Sequence, residues 1–444
     1  MPRKNKALIK NCYIIPMEKP PSKEDNNSDD LYHKGSIAIE DGKILALSPP
    51  GQIPADFDPD EIIDGTNKVV MPGFINCHTH AAMTLLRGYA DDMPLMKWLQ
   101  EKIWPLEGKM TDNDIYWGTI LAISEMLLSG TTTFVDMYDK MDKVALAVEE
   151  TGIRASLSRG LIGLQDNARE ALKENEELVQ TWHNAADGRI QVLFGPHAPY
   201  TCPPDFMKEV IKSAKEYNAG ITIHLNETTD ELEQIQSEHG KRPVELMKDL
   251  GLFEVPVLAA HCVHVNDAEI DILKSYDVGV AHNPESNMKL ASGISPVVKM
   301  LEKDLKVGLG TDGTSSNNNL DMLEETRSAA LLQKVNAMDP TVMPAYQALY
   351  MATRGGAQAL NLDQQIGSIE PGKCADLIMF DLNKPHLRPL HDIVAHLVYS
   401  ARAEDISMVM VNGQKLVQDN ELTLMDIDSI LEEVDSITKD LLSR

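Results

Sequence analysis

Cysteine is scarce in this chain of 444 residues and never occurs as a C-x-x-C pair. Cys12, Cys77, Cys202, Cys262 and Cys374 stand singly and far apart, which excludes a zinc ribbon and a disulfide framework. Basic side chains are also in deficit: 41 Lys and Arg face 68 Asp and Glu, a formal net charge of −27. Such a surface repels nucleic acid and anionic membrane, so neither is expected as a partner. Long apolar runs are missing. Leu8–Ile15 is too short and too interrupted for a signal peptide or a membrane span, and the protein is expected in the cytoplasm. Aromatics make up only 5%, but the total hydrophobic content of 43% suffices for a soluble core.

What is present is alternation. Between residues 69 and 362 short apolar segments alternate with amphipathic ones. Strands are expected to end near Asn76, Met137, Arg159, Gly195, Leu225, His261, His282 and Thr311. Helices are expected over 112–128, 142–151, 167–184, 204–217, 242–250, 266–276, 295–304 and 320–335. Thr111-Asp112-Asn113-Asp114 resembles a capping box at the first of these. Val255–Ala260 and Ile190–Phe194 are apolar nearly throughout, as suits strands buried on both faces of a parallel sheet. Eight such units predict an α/β fold, a (β/α)8 TIM-like barrel. The two chain ends are β-rich instead. Ala7–Ile15, Ser36–Glu40, Lys43–Leu47, Ala375–Phe380 and Met408–Val411 read as strands, with hairpin turns at Asp41-Gly42 and Asn412-Gly413. The expected organisation is therefore a barrel over 69–362, with 1–68 and 363–444 forming one small β-sandwich and a peripheral helix over 426–443. Residues 20–30 read as a solvated loop. Ala81–Met110 interrupts the alternation and is expected to lie, partly helical, over the barrel mouth.

The chemistry-bearing residues sit at strand ends, which a parallel barrel gathers at one mouth. His78 and His80 are two apart, the spacing that puts both on one face of a strand. His224 and Asp312 each end a later apolar segment. Three neutral imidazoles and one carboxylate suit a borderline divalent cation, and the open position left over marks a catalytic site. His264, His282 and Asp136 can border the same mouth. His282 opens His-Asn-Pro-Glu-Ser-Asn, which suggests a cap for the next helix as readily as a catalytic role. Gly308-Leu309-Gly310-Thr311-Asp312-Gly313 matches a dinucleotide fingerprint. The acidic partner wanted about twenty residues on is absent, so the match is read as chance.

Pro72-Gly73-Phe74-Ile75-Asn76-Cys77-His78-Thr79-His80 resembles the opening motif of the amidohydrolase superfamily. Thr84–Gly88, Lys102–Glu107, Gly195-Pro196-His197, His224–Thr228 and Gly310–Gly313 are similar to the 5′-methylthioadenosine/S-adenosylhomocysteine deaminases, whose relatives include 5′-deoxyadenosine deaminase. The similarity spans roughly residues 7–415. It implies a hydrolase acting on cyclic amidine C–N bonds, which converts 5′-substituted adenosines to inosine derivatives and ammonia. By this resemblance His78, His80, His224 and Asp312 are metal ligands, and Glu227 is the acid/base group facing the purine. Glu107, Arg159 and His197 contact substrate together with Glu227 and Asp312, and His261 stands near the attacking water. The catalytic set is thus Glu227, His261 and Asp312. Some relatives carry a further arginine after Arg159; Arg169 lies near that point but out of register. Strand four ends Phe194-Gly195-Pro196-His197 without the lysine of two-metal members, so one divalent cation per chain is expected, zinc or iron. The small-molecule partner is a nucleoside, and a homo-oligomer is implied. Two other readings stand beside this one: a sister enzyme acting on another base or a triazine, and a non-catalytic nucleoside- or metal-binding protein.

Overall fold

The computed structural model describes residues 6–21, 31–50, 52, 54, 57–93 and 95–444. Residues 22–30, the greater part of the expected solvated loop, lie outside the described residues.

Eight parallel strands form the centre: Phe74–Thr79, Thr131–Tyr138, Arg154–Leu161, a fourth in two pieces (Ile190–Val192 and Gly195–Pro196), Ile221–Leu225, Val257–His261, Gly279–His282 and Lys306–Leu309. Each pairs with the next, and the eighth returns to the first through Leu309↔Asn76. The fourth and fifth meet through the parallel bridge Phe194↔Ile221. There the Phe194 N–H donates to the Gly220 carbonyl and the Thr222 N–H to that of Phe194, at 2.8 and 2.9 Å. This is the (β/α)8 barrel that the alternation predicts.

The helices fall close to their expected places, among them Asp112–Leu128, Met141–Thr151, Pro204–Glu216 and Met322–Ala337. The first opens on the anticipated cap: Asp114 Oδ2 accepts the Thr111 N–H at 2.7 Å, and the Asp114 N–H donates to Thr111 Oγ1 at 3.4 Å. Met141–Thr151 buries Met141, Val144, Ala145 and Val148, and Pro204–Glu216 buries Phe206, Met207, Val210 and Ile211, so burial of an apolar face drives their docking.

Both chain ends contribute to one mixed sheet. Its order is Glu421–Leu422, Gln414–Gln418, Ile406–Val411, Leu377–Asp381, Lys68–Pro72, Lys6–Ile14, His33–Glu40 and Lys43–Ser48, with Glu61–Asp64 also beside Lys6–Ile14. The expected sandwich is thus one continuous sheet whose arms share a core of Ile9, Ile37, Ile39, Leu377, Met408 and Met410. The two predicted hairpin turns meet: a Cβ on Gly42 would lie 2.6 Å from the Asn412 carbonyl oxygen. The last helix, Ile427–Ser443, buries Ile430, Val434, Ile437 and Leu441. It is therefore docked by an apolar stripe, a pattern its polar composition hides.

Candidate active site

The first strand ends in His78 and His80, the fifth in His224, the sixth in His261, and Asp312 lies just past the eighth. Their rings cluster, with centroids 4.7 Å apart for His78 and His224 and 5.4 Å for His80 and His224. Asp312 Oδ1 lies 3.3 Å from Nε2 of both His78 and His80. One ligand atom from each of His78, His80 and Asp312 lies within 4.8 Å of the others, and the same holds for His78, His224 and His261.

Backbone carbonyls choose the tautomers. His80 Nδ1–H donates to the Met137 carbonyl at 2.6 Å, and His224 Nδ1–H to that of His197 at 2.7 Å. With Nδ1 so engaged, each ring when neutral presents an Nε2 lone pair to the cluster. His78 Nε2 is buried without a hydrogen-bond partner, which is costly unless a cation takes its lone pair. Neutral imidazoles and a carboxylate around an orphaned nitrogen fit a divalent cation.

Burial sets the protonation states. It pushes His78 down to about 4 and His224 well below the ordinary range, so both are neutral. Burial also opposes charge on His80, but the Asp312 carboxylate and the Met137 carbonyl outweigh it and carry His80 up to about 9. Burial would raise Asp312, yet the His78 and His80 rings against its Oδ1 hold it well below the carboxylate range. Its other oxygen accepts from Ser286 Oγ and Ser316 Oγ, both at 2.7 Å, so the two oxygens have separate tasks. Burial raises Glu227, whose Oε2 stands 3.8 Å from His261 Nε2. A raised carboxyl beside an imidazole is suited to proton transfer.

A cavity of about 330 Å³ opens from this cluster. Glu227, His197, Glu107 and Arg159 line it, and Met83, Trp98, Leu99 and Trp104 of the segment after the first strand form one wall. That segment is largely helical, with turns at Ala81–Leu86, Leu95–Trp98, Leu99–Ile103 and Trp104–Glu107, and it borders the mouth as expected. Tyr138 Oη donates to Glu107 Oε1 at 2.6 Å. Arg159 is held by Asp139 at 2.9 Å and Glu174 at 2.8 Å. Burial among imidazoles pushes His197 down to about 3. Arg169 points away; it is 82% exposed and pairs with Glu209.

The amidohydrolase family model matches residues 69–416. The chain belongs to the amidohydrolase family. A relative from Pelotomaculum thermopropionicum, named 5-methylthioadenosine/S-adenosylhomocysteine deaminase, is 53% identical over 98% of this chain and 99% of its own length. A solved adenosine deaminase from Xanthomonas campestris, with bound zinc, superposes at a TM-score of 0.93 with 34% identity, covering 99% of both chains. A triazine hydrolase superposes at 0.89 with 22% identity, covering 98% of this chain and 99% of its own, a likeness of fold alone.

Other residues complete the site of this amidohydrolase. Sequence reasoning did not single out Ser286, Ser316, Tyr138 or Asn287. Ser286 and Asn287 lie in the His-Asn-Pro-Glu-Ser-Asn segment, for which a helix cap and a catalytic role were equally open. The structure rejects the cap. Asn283 precedes helix Pro284–Lys289 but makes no side-chain cap. Its Oδ1 accepts the His261 N–H at 3.3 Å and its Nδ2 donates to the Gly310 carbonyl at 2.9 Å, tying the sixth, seventh and eighth strands together. Asn287 Oδ1 lies 3.0 Å from His261 Nδ1. The glycines of the false dinucleotide motif serve packing: a Cβ on Gly310 would lie 2.7 Å from the His78 nitrogen. Asp136 is buried behind His80, where its Oδ1 accepts from Thr79 Oγ1 at 2.9 Å and the Ala81 N–H at 2.7 Å. His264 Nε2 reaches the Ser292 carbonyl at 2.7 Å. Cys77 and Cys262 are fully buried among apolar neighbours, as packing residues should be.

Proposed function

We propose that this chain is a hydrolytic deaminase of 5′-substituted adenosines, releasing ammonia and the matching inosine derivative. The observation that carries the reading is the buried Glu227 carboxyl beside the His/Asp cluster, with Glu107 in the same cavity. The names of the relatives support it.

In this reading His78, His80, His224 and Asp312 hold one divalent cation per chain, zinc by analogy with the relative that binds it. A cation held there would supply Lewis acidity, lowering the pKa of a water toward neutrality. The chain's own residues do the rest. Glu227, whose carboxyl is raised by burial, donates to purine N1 and makes C6 electrophilic. Asp312 takes the proton of the attacking water on Oδ1, which the two serines on Oδ2 aim toward the histidines. That proton leaves with ammonia, and the hydroxyl added at C6 gives its proton back to Glu227 as the carbonyl forms. His261 Nε2, 3.8 Å from Glu227, orients the water and steadies the developing charge. His197 donates to the purine, Glu107 accepts from the ribose hydroxyls, and Arg159 guards the outer cavity where the 5′ group lies. Among the described residues no helix is long and apolar enough to cross a membrane. A cytoplasmic homo-oligomer completes the proposal, and light scattering reads its size.

The test is ammonia release from S-adenosylhomocysteine, 5′-methylthioadenosine, 5′-deoxyadenosine and adenosine, side by side. Turnover is expected with at least one 5′-substituted nucleoside at a kcat/KM above that for free adenine. Activity on free bases or triazines alone would refute the assignment.

A further inference from the structure

Glu231 belongs to none of the groups assigned to substrate or cation, yet the residue is only 3% exposed and its carboxyl points back at the active-site turn. Oε1 accepts the Asn226 N–H at 3.0 Å and Oε2 accepts the Glu227 N–H at 2.9 Å. Asn226 has a left-handed backbone, φ 54°, so consecutive N–H groups converge on one side. Such a nest of amides binds an acceptor oxygen pair, and here that pair belongs to a side chain of the protein itself; burial raises Glu231 to about 8, and the two amide hydrogen bonds oppose that rise. Glu231 is also held in place. It sits in the first turn of helix Thr229–His239, where its own N–H donates to the capping Thr228 Oγ1 at 3.2 Å. The other side of the turn is anchored too. Asn226 Nδ2 donates to the His264 carbonyl at 3.2 Å, and the His264 N–H to that of Asn226 at 2.9 Å.

The Glu227 side chain faces the cavity, so its aim is decided by the backbone from which it springs. We propose that Glu231 is a positioning residue: it clamps the Asn226–Glu227 turn and thereby places the Glu227 carboxyl for proton transfer. A carboxyl group is needed for this, because both oxygens must accept. An amide in the same place turns an N–H donor toward a backbone N–H donor and leaves one of them unpaired.

This inference rests on the proposed role of Glu227, and a double-mutant cycle separates the two. Wild type, Glu231→Gln, Glu227→Gln and the double variant are purified as the metal-loaded enzyme and assayed on the best nucleoside. Glu231→Gln is expected to keep its cation and its KM while kcat falls about 10–100-fold, a part of the roughly 10²–10⁴-fold that a general acid–base group contributes. In the Glu227→Gln background the second substitution should cost almost nothing, because its route of action is gone. An equal loss in both backgrounds, or a kcat unchanged by Glu231→Gln, overturns the clamp alone. Full activity in Glu227→Gln overturns the mechanism and the clamp with it. Should Glu231→Gln fail to fold, Glu231→Asp, which keeps the carboxyl group but shortens the reach, enters the same cycle. Failure of both to fold assigns the residue to stability and overturns the proposal.

Discussion

At the residue scale, the site is a balance between burial and pairing. Burial drives His78 and His224 neutral, while the ion pair with Asp312 keeps His80 charged up to about 9. The raised His80 stabilises the metal-free protein fully below its ordinary value of 6.5, and that contribution fades as pH rises through about 9. A cation must displace the same proton. Cation uptake near about pH 7.5 should therefore release roughly one proton per chain, and affinity should climb with pH until His80 is neutral. Calorimetric titration in buffers of different ionisation enthalpy reads the proton, and elemental analysis reads the stoichiometry. Uptake without proton release, or two tightly held cations per chain, would sink this account. His78, His80, His224 and Asp312 were legible because each ends an apolar run. Ser286 and Ser316 were not, because nothing local distinguishes a serine that holds a carboxylate from any other.

At the element scale, the segment between the first barrel strand and helix Asp112–Leu128 supplies the wall and Glu107. Tyr138 on the second strand fixes Glu107 at 2.6 Å. A hydrogen bond to a charged group contributes about 1.5–3 kcal/mol, so loss of the 2′-hydroxyl should cost roughly 10–100-fold in kcat/KM. Adenosine and 2′-deoxyadenosine compared in wild type and Glu107→Ala test the point. If Glu107→Ala preserves the ratio between them, the carboxylate does not read the ribose. The length of this segment and its tryptophans were visible in the sequence. Its 3-10 and π turns were not, because they follow from packing against the mouth rather than from periodicity.

At the scale of the whole molecule, barrel and end sheet are joined by a buried ion pair. Arg154 of the third strand donates through Nε to Asp376 Oδ2 at 2.8 Å and through Nη2 to Asn412 Oδ1 at 2.6 Å. The two charged side chains are 4% and 2% exposed. Asp376 Oδ1 also accepts the Asn412 N–H at 2.8 Å, so one carboxylate serves both a hairpin turn and the barrel. Asp376→Ala leaves a buried guanidinium without its counter-charge and should destabilise the fold by about 3–5 kcal/mol. Urea unfolding followed by circular dichroism measures this, and a loss under about 1 kcal/mol, the scale of an ordinary surface change, would show the pair to be incidental.

The sequence by itself determined the alternation of strands and helices, the positions of the hairpin turns, and the identity of the residues able to hold a cation. Those properties are local: apolar periodicity, a left-handed Asp-Gly or Asn-Gly pair, a histidine at the end of a buried run. Only the tertiary structure decided which oxygen of Asp312 faces the histidines, which backbone carbonyls fix their tautomers, and that Asn283 ties strands instead of capping a helix. Each of these depends on partners tens to hundreds of residues away, brought together when the barrel closes and buries polar groups that must then find one another.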